Sequence, residues 1–320
     1  VLKIMQNKFK NYLSFPFNSS LIFKATESLL NKSPGGYILS FHDLSPEVFS
    51  SHVESLKPAI PVPLNELISR YKLGKSIKNC FAITFDDGVK STIKNNWEIC
   101  MKNNWPVTFY LPTNYINGDN LPFQKIELFE SLLKNENYKL PKTSNSVTER
   151  ILNKKKLINY LNEIIYVKNN QEVEEILNYF LKILQTSYEL KNNKDLMPKA
   201  ITWEEIKQIS KNELASFQSH SLSHAACSGL SKQELENEML KSKRIIENCT
   251  GKNVNSFCYP YGAPKSISKL SVEIASKYFD YATTLIKGRL NKNSNLHYLP
   301  RIDLYQDHKA SFARMKVALS

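Results

Sequence analysis

Two adjacent carboxylates, Asp86 and Asp87, close the apolar run at 81–85 and are followed at once by Gly88. Successive side chains of a strand point to opposite faces, so two working carboxylates in a row predict that the strand has ended before them. The glycine permits a sharp turn at that edge. Such a pair suits a metal ligand beside a general base. It also suits a helix N-cap with an acidic neighbour, because Ser91-Thr92-Ile93 opens a helical pattern.

A second group is His220-Ser221-Leu222-Ser223-His224. Two imidazoles four residues apart fall on one face of a helical turn and can grip one ion. Chance alone can also place two of six histidines at that spacing. Asp87 with His220 and His224 would make a three-ligand set that leaves positions open to water, as a catalytic metal site requires. Ser221 and Ser223 would orient the imidazoles or hold the turn. A third group, Tyr259-Pro260-Tyr261-Gly262, bends the chain where a strand should end. A structural turn accounts for it; a functional bend would offer a backbone N–H to a developing oxyanion and an aromatic wall to a sugar.

The elements that must position these groups are short β-rich runs at 37–41, 80–85, 107–111, 215–218, 256–259, 281–285 and 298–302. Helical patterns at 46–56, 64–71, 91–103, 203–211, 231–249 and 265–279 alternate with them, which predicts parallel βαβ units in an α/β fold. About seven such units close a barrel more naturally than an open sheet. The firmest helix begins at Ser231, with Glu234 at capping-box spacing and Gly251 beyond its end. Residues 121–197 break the alternation: no strand pattern is evident, and helical runs are expected at 148–167 and 173–190. Ile151, Leu157, Ile158, Leu161, Ile164 and Ile165 recur there at helical spacing. We read this stretch as a helical insertion within a barrel spanning 37–320, either a packing subdomain or a lid over the site, with 1–36 as a helical, basic lead-in.

At 320 residues the chain can bury a large core. Its 43 Lys and Arg against 30 Asp and Glu give a net charge of +13. No dense basic stripe with interleaved aromatics accompanies that charge, so no nucleic-acid partner is expected. We read the charge mainly as a bias of composition, with weak surface attraction to an anionic polymer or lipid as the lesser use. Five cysteines without paired spacing predict no disulfide framework and favour a reducing compartment. No run of about 20 apolar residues predicts a membrane span. A cytoplasmic or peripherally membrane-associated protein is the resulting expectation.

Taken together, Thr84-Phe85-Asp86-Asp87-Gly88, His220-Ser221-Leu222-Ser223-His224 and Tyr259-Pro260-Tyr261-Gly262 resemble the first three motifs of the polysaccharide deacetylases of carbohydrate esterase family 4, in matching order. The resemblance extends over roughly 37–304, outside the insertion. It implies a distorted (β/α) barrel with one divalent metal and hydrolysis of an N-acetyl, less often an O-acetyl, group on an aminosugar glycan. It assigns Asp86 as general base, Asp87, His220 and His224 as metal ligands, and the Tyr261 backbone N–H as oxyanion donor. One carboxylate and two imidazoles suit zinc, with cobalt, nickel and iron fitting similar donors.

The chain departs from the family pattern in three places. Many members supply a histidine acid from a Leu-x-x-His motif near the C-terminus, whereas this chain reads Tyr298-Leu299-Pro300-Arg301-Ile302-Asp303, with His297 before it and His308 after. Ser40-Phe41-His42-Asp43 resembles instead the N-terminal His-Asp of the poly-N-acetylglucosamine deacetylase branch, which makes His42 the candidate acid. Cys258 stands where many members carry an arginine paired with the base; Arg301 is the candidate replacement. No counterpart of the family's aspartate–tryptophan motif is evident, although Asp280 and Asp303 lie in suitable regions. Two other readings remain at this stage: a degenerate member that binds glycan without turnover, and another metallohydrolase chemistry. Phosphoester cleavage lacks the extra ligands of a two-metal site.

Overall fold

The computed structural model describes residue 26 and residues 36–142, 150–168, 170–187 and 196–320. Its sheet is parallel and closed: β1 (Tyr37–Phe41), β3 (Cys80–Phe85), β4 (Val107–Leu111), β7 (Ala215–Ser219), β8 (Ser256–Cys258), β9 (Tyr281–Lys287) and β10 (Leu299–Asp303) pair in that order, and β10 returns to β1. The seven-stranded barrel expected from the alternating pattern is therefore present. A two-residue strand, β2 (Ile60–Pro61), pairs only with Cys80 and Phe81 at the start of β3. It is too short to leave a periodic signal, and the sequence reading missed it.

Helices wrap the barrel: α1 (Pro46–Glu54), α2 (Leu64–Lys72), α3 (Lys90–Asn103), α8 (Trp203–Ile209), α9 (Lys232–Thr250), α10 (Lys269–Tyr278) and α11 (Ala310–Ala318). A short α4 (Thr113–Ile116) follows β4, and α5 (Pro122–Leu132), α6 (Lys154–Val167) and α7 (Asn170–Ser187) belong to the insertion. β1, β3 and β4 are buried along their whole lengths, as parallel strands covered on both faces must be. Period two divides their side chains. Leu39, Phe41, Phe81, Ile83, Phe85 and Phe109 share a core with Phe49 of α1 and Trp97 of α3. The alternate positions Ile38, Ala82 and Tyr110 join Cys258 and Leu299 in an inner cluster, closed by Leu64, Leu67 and Ile68 of α2. Asp86 continues the inward phase of Ala82 and Thr84, and Arg301 and Asp303 continue that of Leu299.

The insertion between β4 and β7 contains one feature not expected: a two-stranded antiparallel ribbon of β5 (Asn137–Lys139) and β6 (Ile151–Asn153). The helical run expected over 148–167 therefore begins only at Lys154, where the Asn153 side chain accepts from the Lys156 N–H and caps α6. Ile151 lies on β6 and is 69% exposed, unlike Leu157, Ile158, Leu161, Ile164 and Ile165, which are buried. The second run begins at Asn170, and the part of it beyond Ser187 lies outside the described residues. Phe129, Leu157, Leu161, Leu177 and Phe180 give the insertion its own core. No described helix is long and apolar enough to cross a membrane. Of the lead-in at 1–36, only residues 26 and 36 are among those described.

Candidate active site

The turn after β3 is built from positive φ angles at Asp87 (72°) and Gly88 (71°). A Cβ on Gly88 would lie 3.2 Å from Ile116 Cδ1, so glycine serves both conformation and space. Helix α3 starts at Lys90 with Val89 at its N-cap, and neither aspartate caps it. The two carboxylates instead face different partners at the barrel mouth.

Asp87 meets the histidines. Its Oδ1 lies 3.5 Å from His220 Nε2 and 3.2 Å from His224 Nε2. One donor atom from each of the three residues falls within 4.8 Å of the others, and all three residues are buried. Burial opposes ionisation of Asp87, yet hydrogen bonds from the two imidazoles hold it well below the usual carboxylate range. His220 Nδ1 donates to the Cys258 carbonyl at 2.8 Å, so that Nε2 is the atom turned to Asp87 and the one that would give its lone pair to an ion. This set of one oxygen and two imidazole nitrogens fits a divalent ion.

His220 and His224 do not share a helical turn as the spacing suggested. The chain from His220 to His224 is non-helical, with φ of 68° at Ser221 and 61° at His224. Hydrogen bonds hold this bend: the His224 N–H donates to Ser221 Oγ at 2.9 Å. Glu238 of α9 accepts from the Leu222 and Ser223 N–H groups at 2.9 Å each and from Ser223 Oγ at 2.8 Å. Glu238 was not singled out in the sequence, where it reads as one more acidic residue of a charged helix. His224 is oriented by packing, with Tyr261 at 4.7 Å and Phe123 of α5 at 5.5 Å between ring centroids. Its Nδ1 finds no hydrogen-bond partner among the described residues.

Asp86 meets Arg301. The guanidinium is fully buried and grips the carboxylate in a fork, Nη1 to Oδ1 at 2.8 Å and Nη2 to Oδ2 at 2.6 Å. The same arginine donates to Thr84 Oγ1, the Thr284 carbonyl and Cys258 Sγ at 3.0, 2.8 and 3.0 Å. Burial works against the Asp86 anion, but the Arg301 charge and hydrogen bonds outweigh it and lower the pKa. Asp86, His220 and Cys258 also bring donor atoms within 4.8 Å of one another. Arg301 already occupies that side of Asp86 and Cys258, and its charge opposes a second cation there.

His42 follows β1 at the seam with β10. Its Nε2 is 3.6 Å from Asp86 Oδ2 and its Nδ1 is 3.4 Å from Asp303 Oδ1, the latter pair close but not aligned as a hydrogen bond. Burial disfavours the imidazolium; Asp303, then Asp86, more than compensate and raise the pKa to about 9. His297 and His308 stand elsewhere, their rings against Phe279 O and Phe312 respectively. Asp280 is engaged through its backbone N–H with Asn255 O. Tyr261 closes the rim with φ of 63°, and Gly262 follows at 57°. A Cβ on Gly262 would come within 2.4 Å of Leu285 N, so the bend admits no side chain there. The Tyr261 ring packs on His224 and on Tyr166 of α6, 5.2 Å away. The insertion thus touches the site through Phe123 and Tyr166.

The described residues thus form a closed parallel barrel whose mouth carries a buried Asp–His–His cluster that could hold a metal ion, beside an arginine-held aspartate. The polysaccharide deacetylase family model matches residues 74–278, and the chain belongs to that family. No curated protein sequence matches it. Among solved structures it is similar to the Streptococcus pyogenes deacetylase PplD in complex with acetate, at 13% identity and a TM-score of 0.57, covering 89% of this chain and 99% of that one. It is similar to BC0361, a polysaccharide deacetylase from Bacillus cereus, at 17% identity and 0.54, covering 89% and 69%. It is also similar to IcaB from Ammonifex degensii, at 14% identity and 0.54, covering 90% and 97%. At these identities the likeness is one of fold.

Proposed function

We propose that the protein is a metal-dependent hydrolase that removes N-acetyl groups from an aminosugar-containing glycan or its precursor. The carrying observation is the convergence of Asp87, His220 and His224 beside an Asp86 kept ionised by Arg301. A divalent ion held by that triad, zinc in this proposal, supplies Lewis-acid polarisation of the acetyl carbonyl and a water acidified towards neutral pH.

The chain's own groups then move the protons. Asp86 takes the proton from the attacking water; each of its oxygens keeps a lone pair beyond the Arg301 fork. The Tyr261 backbone N–H is the proposed donor to the oxyanion. As the C–N bond breaks, His42, protonated at neutral pH, gives its proton to the departing amine. Water and amide become acetic acid and amine, which part as acetate and ammonium, and transfer of the Asp86 proton to His42 Nε2, 3.6 Å from Asp86 Oδ2, restores both groups. The His42-Asp43 pair that follows β1 supports placement near the poly-N-acetylglucosamine branch. Retention of base, acid and all three ligands is what disfavours a binding-only role.

The test is elemental analysis of protein purified without chelator, paired with acetate release from N-acetylated oligosaccharides. Near-stoichiometric metal in the wild type, absent in His224→Ala together with acetate release, supports the reading. A wild type that takes up no zinc or cobalt and releases no acetate refutes it.

A further inference from the structure

Beside the metal-ligand loop lies a cavity of about 350 Å³. One wall is α7, where Asn170, Glu174 and Asn178 recur every four residues and so share a face. The other face of α7 is buried in the insertion core through Val173, Ile176, Leu177, Phe180 and Leu184. Asn114, Asp119 and Asn120 form the facing wall, after β4, and Ser223, adjacent to the ligand His224, completes it. Asn170 Nδ2 donates to Ser223 Oγ at 3.3 Å, and the Asn114 N–H to Leu222 O at 2.7 Å. The cavity therefore shares the very loop that carries His224.

Its chemistry selects a ligand class. Each asparagine offers an acceptor and two donors in one side chain, which matches hydroxyl and amide groups that also do both. Lys125 is the one cation among the described lining residues, and it is engaged by Glu174 at 2.5 Å and Asn178 Oδ1 at 3.3 Å. An anionic ligand would meet Asp119 and Glu174 without a free cation to receive it. Leu121 and Leu181 add a small apolar surface for the face of a ring. The volume falls in the range of small-ligand sites, ~300–1,000 Å³.

We propose that this cavity is a subsite for a neutral sugar residue of the glycan, next to the residue whose acetyl group reaches Asp87, His220 and His224. The inference rests on the deacetylase reading and makes the insertion the element that selects polymer over single sugars. Asn178→Trp fills the cavity from an exposed helical position remote from the reacting groups, and Asn120→Ala removes one polar wall without adding bulk. The probes are β-1,4- and β-1,6-linked pentamers of N-acetylglucosamine, titrated calorimetrically into metal-free protein. The zinc-loaded protein is then assayed for acetate release from the same pentamers and from N-acetylglucosamine itself. We expect Asn178→Trp to weaken binding of one pentamer and raise its KM about tenfold, Asn120→Ala to do so severalfold, and activity on the single sugar to stay unchanged. Failure of the wild type to bind either pentamer, or equal binding by wild type and both variants, overturns the subsite. Pentamer binding that the variants weaken, with no acetate release from any probe, leaves the subsite standing and defeats the deacetylase reading instead.

Discussion

Asp86 stands between Arg301, which fixes its charge, and His42, which lies within a proton's reach of it. The two partners make separable predictions. Arg301→Met leaves a buried carboxylate without its cation, so Asp86 protonates more readily and the base is lost at neutral pH. Because Arg301 contacts none of Asp87, His220 and His224, acetate release should fall by about two orders of magnitude while bound metal, measured by elemental analysis, stays near wild type. Unchanged kcat would remove Arg301 from this role. The second prediction concerns pH. The His42 pKa lies above the ordinary imidazole value of 6.5, at about 9, so the acid form persists through neutrality and is lost as pH rises through that value. Asp303→Asn removes the charge that most raises it, and the alkaline limb of kcat/KM should move downwards. The bound ion's charge acts on wild type and variant alike, which leaves the direction of the comparison intact. A limb that does not move would show that Asp303 is no partner of His42. Asp86, Asp87 and the histidines were legible as motifs because each is local. Asp303 and Glu238 were not legible as partners, since their proximity to His42 and to the 220–224 bend arises only when distant elements meet.

At the scale of elements, the proposed ligands sit on backbone the chain would not adopt unaided. Among the described residues, four of the six non-glycine residues with positive φ are Asp87, Ser221, His224 and Tyr261. Such conformations cost of order 1–3 kcal/mol each and persist only where surroundings enforce them. Helix α9 enforces one bend through Glu238, whose three accepted hydrogen bonds tie the loop between the histidines to the barrel wall. Glu238→Gln retains one acceptor oxygen and loses the other, so metal affinity should weaken by roughly 10–100-fold in a competition titration with a chelator. Recovery of turnover at saturating zinc would accompany that loss if Glu238 positions the loop. A variant with wild-type affinity and lower turnover would contradict it. β1, β3 and β4 were readable because each is a predominantly apolar run under helices. β2, β5 and β6 were not, because two or three residues carry no periodicity and, unlike β8, none of them runs into a recognisable motif. The bend at His220–His224 was misread as helical because four-residue spacing is shared by a helix and by a tight, hydrogen-bonded loop.

Two hydrophobic cores of the described residues meet at the site: the barrel core around Phe85 and Phe109, and the insertion core around Leu161 and Phe180, which reaches Tyr261. An ion bound by the native triad and absent from the unfolded chain stabilises the fold by mass action, by about 2.7 kcal/mol at a free concentration one hundred times its Kd. Zinc should therefore raise the melting temperature of the wild type by several degrees and leave that of Asp87→Ala unmoved, as read by calorimetry. Equal shifts in both would place the ion elsewhere.

The order in which the site's parts appear along the chain has a consequence of its own. Asp87, His220 and His224 are all present once residue 224 has been made, whereas Arg301 and Asp303 lie on β10, the strand that closes the barrel against β1. A growing chain on the ribosome would hold all three proposed metal ligands well before the partners of the proposed base and acid. On the proposed mechanism, hydrolysis would therefore have to wait until β10 has been made and has closed the barrel against β1.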